Sequence, residues 1–256
     1  MLTLQSHQLN ALEQAGSPSF VALMRAHVRE SFPKHSSYLG GEGVGEIVRY
    51  GLEQGHASGF RTRSPVRLFI DLTVLLGRDF HSDPQLPWAR TIIEDHAGFP
   101  DELERATRLH GAATEYLDSV SGPDNEFIDN AQQRILLESL AISGGSKQAF
   151  IDDVCFRLER IWPEKLSQLD NGLRNELIDL GVRKALAHGI GTEEGAFLCI
   201  AIMLMLGSGF DHDPLCGWSH PVLTSTDSAA VKIALLHAAA IGHLTKWCAG
   251  ESECHV

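Results

Sequence analysis

Positive charge is the first thing this sequence is short of. Its 256 residues hold 33 Asp and Glu against 21 Lys and Arg, a net charge of −12. Direct nucleic-acid binding needs positive charge against phosphate, so no nucleic-acid partner is expected. A basic protein partner suits such a surface. Cysteine is scarce as well. Cys155, Cys199, Cys216, Cys248 and Cys254 are an odd number with no C-x-x-C pair. That speaks against a disulfide framework and for a reducing compartment. Cys155 and Cys199 sit in apolar runs and read as buried thiols. The opening MLTLQSHQLNALEQAG lacks a basic region followed by a long apolar run, so no signal peptide is expected. The longest apolar run, Ala196 to Leu206, falls short of the roughly 18 residues of a membrane span. A cytoplasmic protein with no membrane partner is the expectation.

Catalytic signatures are missing too. The chain has no G-x-S-x-G, no H-E-x-x-H, no P-loop and no G-x-G-x-x-G after a strand. Gly40 to Glu46, GGEGVGE, is glycine-rich, but no strand precedes it and no basic residue accompanies it, so it reads as an interhelix turn. The expectation is a protein that is not an enzyme, with no cofactor and no catalytic residue.

What the chain does have is a repeat of itself. Shifted by 130, Phe20 falls on Phe150, Pro33 on Pro163, Gly51 on Gly181, Gly59 on Gly189, Thr62 on Thr192 and Ile70 on Ile200. LGRDFHSDPQLPW then meets LGSGFDHDPLCGW. Between residues 20 and 88, seventeen of sixty-nine positions are identical without a gap, where ordinary composition gives roughly four. The register later slips by three, and Arg108 to Leu117 lies on Leu235 to Leu244. The reading is a tandem duplication, with unit 1 at residues 1–122 and unit 2 at 123–256, divided in the turn-rich stretch Ser119 to Phe127.

Nearly every segment has helical periodicity, and few runs alternate with period two. The expected fold is all-α: two tandem bundles of five or six helices each. Leu2, Leu9 and Leu12 lie on one face of a first helix. Ser17 caps a second, with Pro18 first. A third runs from about Gly43 to Ser58 and ends at Gly59. A fourth is capped by Ser64 in unit 1 and by Thr192 in unit 2. It is the most apolar helix of each unit and so the expected centre.

The loop Gly77 to Trp88 holds Asp79, His81 and Asp83; its copy holds Asp211, His212 and Asp213. A metal site wants three or more ligands at fixed spacing. Here the histidine moves by one position between copies, so no metal is expected. What recurs is Gly77, Phe80, Asp83, Pro84 and Trp88, with Gly207, Phe210, Asp213, Pro214 and Trp218. These are the residues of a helix stop and an aromatic-anchored turn. His110 and His237 match in the shifted register and read as interhelix hydrogen-bonding groups. Arg61, Arg63 and Arg67 form the densest basic patch, and unit 2 lacks it.

Several residues carry a resemblance. Phe32-Pro33, Gly51, Ala57, Gly59, Asp71-Leu72, Leu76-Gly77, Phe80, Asp83-Pro84, Leu86-Pro87-Trp88-Ala89 and Ile92-Ile93 form a pattern. It resembles that of small helical proteins encoded beside toxin genes of bacterial type VI secretion clusters. Unit 2 departs from it: Ala201 stands for Asp71, and Cys216-Gly217 for Leu86-Pro87. The resemblance implies an immunity protein that binds and neutralises a cognate toxin by protein contact, a basic toxin such as a nuclease fitting the charge. It leaves two alternatives: an adaptor or chaperone that loads a toxin onto the secretion spike and, more remotely, a metal-dependent helical enzyme. The partner-binding residues expected from charge are Glu102, Glu104, Glu115 and Asp118, in the last helix of unit 1.

Overall fold

The computed structural model describes residues 18–142 and 145–249, the side chains of 248 and 249 excepted. The expected first helix and the Ser17 cap lie outside these residues. Among the described residues the protein is all-α, with twelve α-helices and no strand. In chain order they are α1 (Pro18–Ser31), α2 (Pro33–Ala57), α3 (Arg63–Leu76), α4 (Pro87–Glu94), α5 (Glu102–Ser121), α6 (Glu126–Leu136), α7 (Lys147–Ile161), α8 (Pro163–Ser167), α9 (Asn171–Ala187), α10 (Glu193–Leu206), α11 (Ser219–Leu223) and α12 (Ala229–Ala249). No helix among the described residues is long and apolar enough to cross a membrane.

The chain divides into two compact units. One holds Met1–His81 and Trp88–Ala113; the other holds Ser82–Pro87 and Thr114–Val256. The hexapeptide Ser82–Pro87, early in the sequence, thus belongs to the later unit. In the first unit α2 packs on α1 and α3; in the second, α9 packs on α10, and α12 on α10 and α11. The 130-residue offset of the sequence recurs in the helix bounds. α3 and α10 coincide end to end under it, and α2 begins and ends where α8 begins and α9 ends.

The helix ends follow from local chemistry. Thr192 caps α10, its hydroxyl accepting from Gly195 N–H at 3.1 Å. α3 differs from expectation. It starts at Arg63 with Thr62 at the cap, not at Ser64, and the Thr62 side chain makes no cap bond. The Glu102 carboxylate accepts from the backbone N–H groups of Arg61 and Thr62 instead. Pro65, which has no N–H, then sits in the first turn, where donors lack helical partners anyway. α2 also begins earlier than expected, at Pro33. The chain kinks at Gly40, where φ is 63°; GGEGVGE is therefore a bend inside a helix, not a separate turn. Gly59 and Gly189 follow α2 and α9 at φ 80° and 72° as left-handed caps.

Two buried cations close the carbonyl ends behind those caps. In the first unit Arg105 is 2% exposed and donates to Gly59 O at 3.3 Å and Phe99 O at 2.8 Å. Lys232, its match in the 127-residue register, is also buried. It donates to His188 O and Leu223 O, both at 3.1 Å.

The tightest helix crossing also recurs. A Cβ on Gly51 would stand 2.9 Å from Ile70 Cγ1 and 3.2 Å from its Cα, and one on Gly181 would fall inside the Ile200 side chain. A methyl group at either crossing forces the helices apart. Gly51→Ala and Gly181→Ala should each lower stability by about 1–3 kcal/mol. Gly111→Ala, in a helix with nothing within 4 Å, should be neutral or raise it by up to about 1 kcal/mol. Thermal and urea unfolding of the three variants checks this ordering.

Candidate functional site

The recurring loop residues are structural anchors. Phe80 and Phe210 are fully buried, and Asp83 and Asp213 nearly so. Each Asp-Pro begins the same turn: Asp83 accepts from Gln85 N–H, and Asp213 from Leu215 N–H, both at 2.8 Å. Gly77 and Gly207 end α3 and α10 at φ 94° and 91°.

Within the second unit Asp83 does more. Its carboxylate also accepts from Ser208 N–H at 2.7 Å and from the Gln85 amide at 3.2 Å. Gln85 in turn donates to Met203 O at 2.9 Å. Lys165, also buried, donates to Leu204 O at 2.6 Å. Burial pulls the Lys165 ammonium down to about 8, with the Asp83 charge opposing. These groups satisfy the carbonyl end of α10.

The variable loop residues go elsewhere. Asp79 accepts from the Tyr50 hydroxyl at 2.9 Å. The His81 ring packs against Phe69 and Phe80, each 5.9 Å away. Asp211 is held by Lys184 Nζ at 2.6 Å, His188 Nε2 at 3.0 Å and His212 Nδ1 at 2.9 Å. Burial works to raise the Asp211 carboxyl, but bonds from His212, His188 and Lys184 outweigh it and hold it well below the usual carboxylate range. Among the described residues no group of three or more His, Cys, Asp and Glu is placed to hold a metal ion. Cys199 and Cys216 are buried; Cys155, read as buried from its apolar run, is only partly so. It follows Val154 on α7 and looks sideways from the core stripe of Phe150, Val154 and Leu158. His110 is exposed and His237 half-buried.

One polar cluster was not legible beforehand. In the first unit His27 Nε2 lies 2.7 Å from Asp71, and its Nδ1 lies 3.0 Å from Ser31 Oγ. Arg67 adds a 3.7 Å contact to Asp71. The cluster ties α1 to α3. At the same positions unit 2 has Arg157, Ala201, Ile161 and Phe197, and Arg157 turns instead to Glu138, Asp153 and the carbonyls of Ser139 and Ala141.

The charge-based candidates separate. Glu102 caps the entry to α3, as above. Glu104 is exposed and 3.5 Å from Arg108 on its own helix. Glu115 and Asp118 are exposed, and they open a longer feature. From residue 109 to 133 the chain has no Lys or Arg and five carboxylates: Glu115, Asp118, Asp124, Glu126 and Asp129. All five are exposed, and all lie in the second unit. At the centre of the stretch, Asp124 and Asn125 hold φ of 48° and 64°. Among the described residues no other non-glycine position has positive φ. Such a conformation costs about 1 kcal/mol or more per residue. Asn125 precedes α6, yet its side chain makes no cap bond. The exposed, strained turn therefore presents an Asn125 side chain that caps no helix.

No protein-family model, curated protein or solved structure matches the chain.

The Asp211 cluster has a pH signature. A carboxyl whose folded pKa lies below its unfolded value of about 4 stabilises the fold above that pH, and the contribution fades as pH falls toward the folded value. Asp211→Asn should lower stability by about 2–4 kcal/mol at pH 7, and the gap to wild type should narrow below about pH 4. Urea unfolding of both proteins at pH 7 and pH 3 is the check; an equal gap at the two pH values would rule the charge out as its source.

Proposed function

We propose that this chain is an immunity protein that binds and neutralises a cognate type VI secretion toxin by protein–protein contact. The resemblance of Phe32-Pro33 through Ile92-Ile93 supplies the biological setting. The observation that carries the reading is the acidic stretch from Glu115 to Asp129, with five exposed carboxylates, no neighbouring cation in sequence and a strained turn at its centre. A basic toxin such as a nuclease is its natural complement, because opposed potentials steer encounter and speed association. Neutralisation is then steric: the acidic stretch lies over the basic substrate groove of the toxin and excludes its substrate. Glu115 and Asp118 keep the binding role first read from charge; Glu104 lies outside the stretch, and Glu102 serves the fold.

The toxin encoded beside this gene should co-purify with the protein, and co-expression should rescue growth. Failure of both would falsify the reading. Combined Glu115→Lys, Asp118→Lys and Glu126→Lys should slow association at least about tenfold at low salt and flatten its salt dependence. Stopped-flow or surface-plasmon measurement reads both effects. Loss of toxin secretion on gene deletion, with self-protection intact, would identify a loading adaptor instead.

A further inference from the structure

The His27 cluster of the first unit has the make-up of a nucleophilic site. Ser31, at the end of α1, is exposed, and its Oγ lies 3.0 Å from His27 Nδ1. The other ring nitrogen, Nε2, lies 2.7 Å from Asp71 Oδ1. One tautomer serves both contacts: Nε2–H donates to the carboxylate, and Nδ1 accepts from the Ser31 hydroxyl. A hydroxyl, a base placed to take its proton and a carboxylate that orients the base are the three parts of an activated serine. The ring nitrogens are used in the reverse order from the Ser-His-Asp triad of serine proteases, and the proton path is the same. Two helices supply the parts. Ser31 follows His27 by one helical turn on α1, and Asp71 comes from α3, which packs on α1.

Folding does not ask for this cluster. At the 130-residue offset Arg157, Ile161 and Ala201 stand for His27, Ser31 and Asp71, yet α7 packs on α10 as α1 packs on α3. All three members change together. Holding them has a cost as well. Burial pushes the Asp71 carboxyl up, against the pull of His27 and Arg67. A perturbed carboxyl behind a partly buried histidine, with an exposed hydroxyl in front, is the pattern of a working site.

We infer that Ser31, His27 and Asp71 form a hydrolytic site for small carboxylic esters, with Ser31 as nucleophile, His27 as general base and Asp71 as the residue that positions it. Ser31 is open to solvent and takes a small ester directly. As Ser31 Oγ bonds to the carbonyl carbon, its proton passes to His27 Nδ1 and the C=O π pair moves onto oxygen. α2 begins at Pro33 with no side-chain cap, so a positive helix end lies two residues along the chain from Ser31 and suits that negative charge. Collapse breaks the bond to the alcohol, which leaves with the proton from His27. Water then gives a proton to His27, attacks the acyl group on Ser31 and releases the acid, while Ser31 regains its proton. One ester and one water become one acid and one alcohol. This goes beyond the neutralisation reading, uses none of the acidic stretch and is tested on the chain alone, so either can fail without the other.

The full chain should hydrolyse p-nitrophenyl acetate with saturation kinetics. Ser31→Ala and His27→Ala should each lower turnover at least about 100-fold. Ser37→Ala, at an exposed serine outside the cluster, should leave it unchanged. Asp71→Asn should lower kcat at least about tenfold with KM nearly constant, a split that loosened packing does not produce. A fluorophosphonate probe, which loses fluoride as Ser31 Oγ bonds its phosphorus, should mark the Ser31 peptide by mass spectrometry in the wild type and not in His27→Ala. Far-UV circular dichroism checks that each variant is folded; Ser31→Ala, at an exposed position, keeps the test open if His27→Ala is not. Ester turnover in the wild type no faster than in Ser31→Ala overturns the inference. So does a probe adduct at another residue or none at all, and so does an Asp71→Asn variant with unchanged kcat.

Discussion

An all-helical chain must close the carbonyl end of every buried helix, and the architecture of this one turns on how that is done. The last turn of a helix leaves its carbonyls without helical donors. At a surface, water supplies them. Here the ends of α2, α9 and α10 lie where buried side chains must do so. Arg105, Lys232 and Lys165 are all within 9% of full burial, and all direct N–H donors at backbone oxygens. A buried cation is costly when alone. It becomes tolerable when its N–H groups meet backbone oxygens and a counter-charge or an aromatic face stands near, as Asp83 does for Lys165 and Phe60 for Arg105. These cations are therefore braces at helix ends, and charge that looks functional in a list is consumed by the fold.

That constraint explains which parts were legible from sequence. Helical period, the Pro18 start of α1 and the glycine after α2 are local, and they read correctly; the starts of α2 and α3 did not. The recurring Gly, Phe, Asp-Pro and Trp of the two loops also read correctly as a turn, because each Asp bonds an N–H two residues along. What stayed hidden depends on partners far apart in sequence. Asp83 meets Ser208, and Gln85 meets the Met203 carbonyl, across more than a hundred residues. Glu102 looked like a free surface acid, yet it replaces the Ser64 cap expected for α3. Arg105 and Lys232 carry no local sign of their burial, although they match in the shifted register. A basic residue retained where its neighbours diverge points to a carbonyl end.

Comparison of matched positions separates what folding needs from what it leaves free. Gly51 and Gly181 meet Ile70 and Ile200 in the same way, because two helix axes cannot approach so closely over a side chain. By contrast, the His27–Asp71–Arg67 cluster ties α1 to α3, while Arg157, at the position matching His27, ties α7 to the segment after α6. At the other matched positions Ala201, Ile161 and Phe197 replace Asp71, Ser31 and Arg67, so the fold does not require a polar cluster there.

The same logic applies to the surface, with the opposite weight. Exposed positions are nearly free as far as stability goes, so patterned change there points outside the molecule. The second unit carries two such patterns: the run of carboxylates from Glu115 to Asp129, and the outer face of α12, where Val231 and Leu235 are exposed and Lys246 is the one charge near its end. They suit different tasks. Carboxylates act at a distance and govern how fast an oppositely charged partner arrives. An apolar ridge acts only at contact and governs how long a neighbour stays. α6 and α12 touch within the unit.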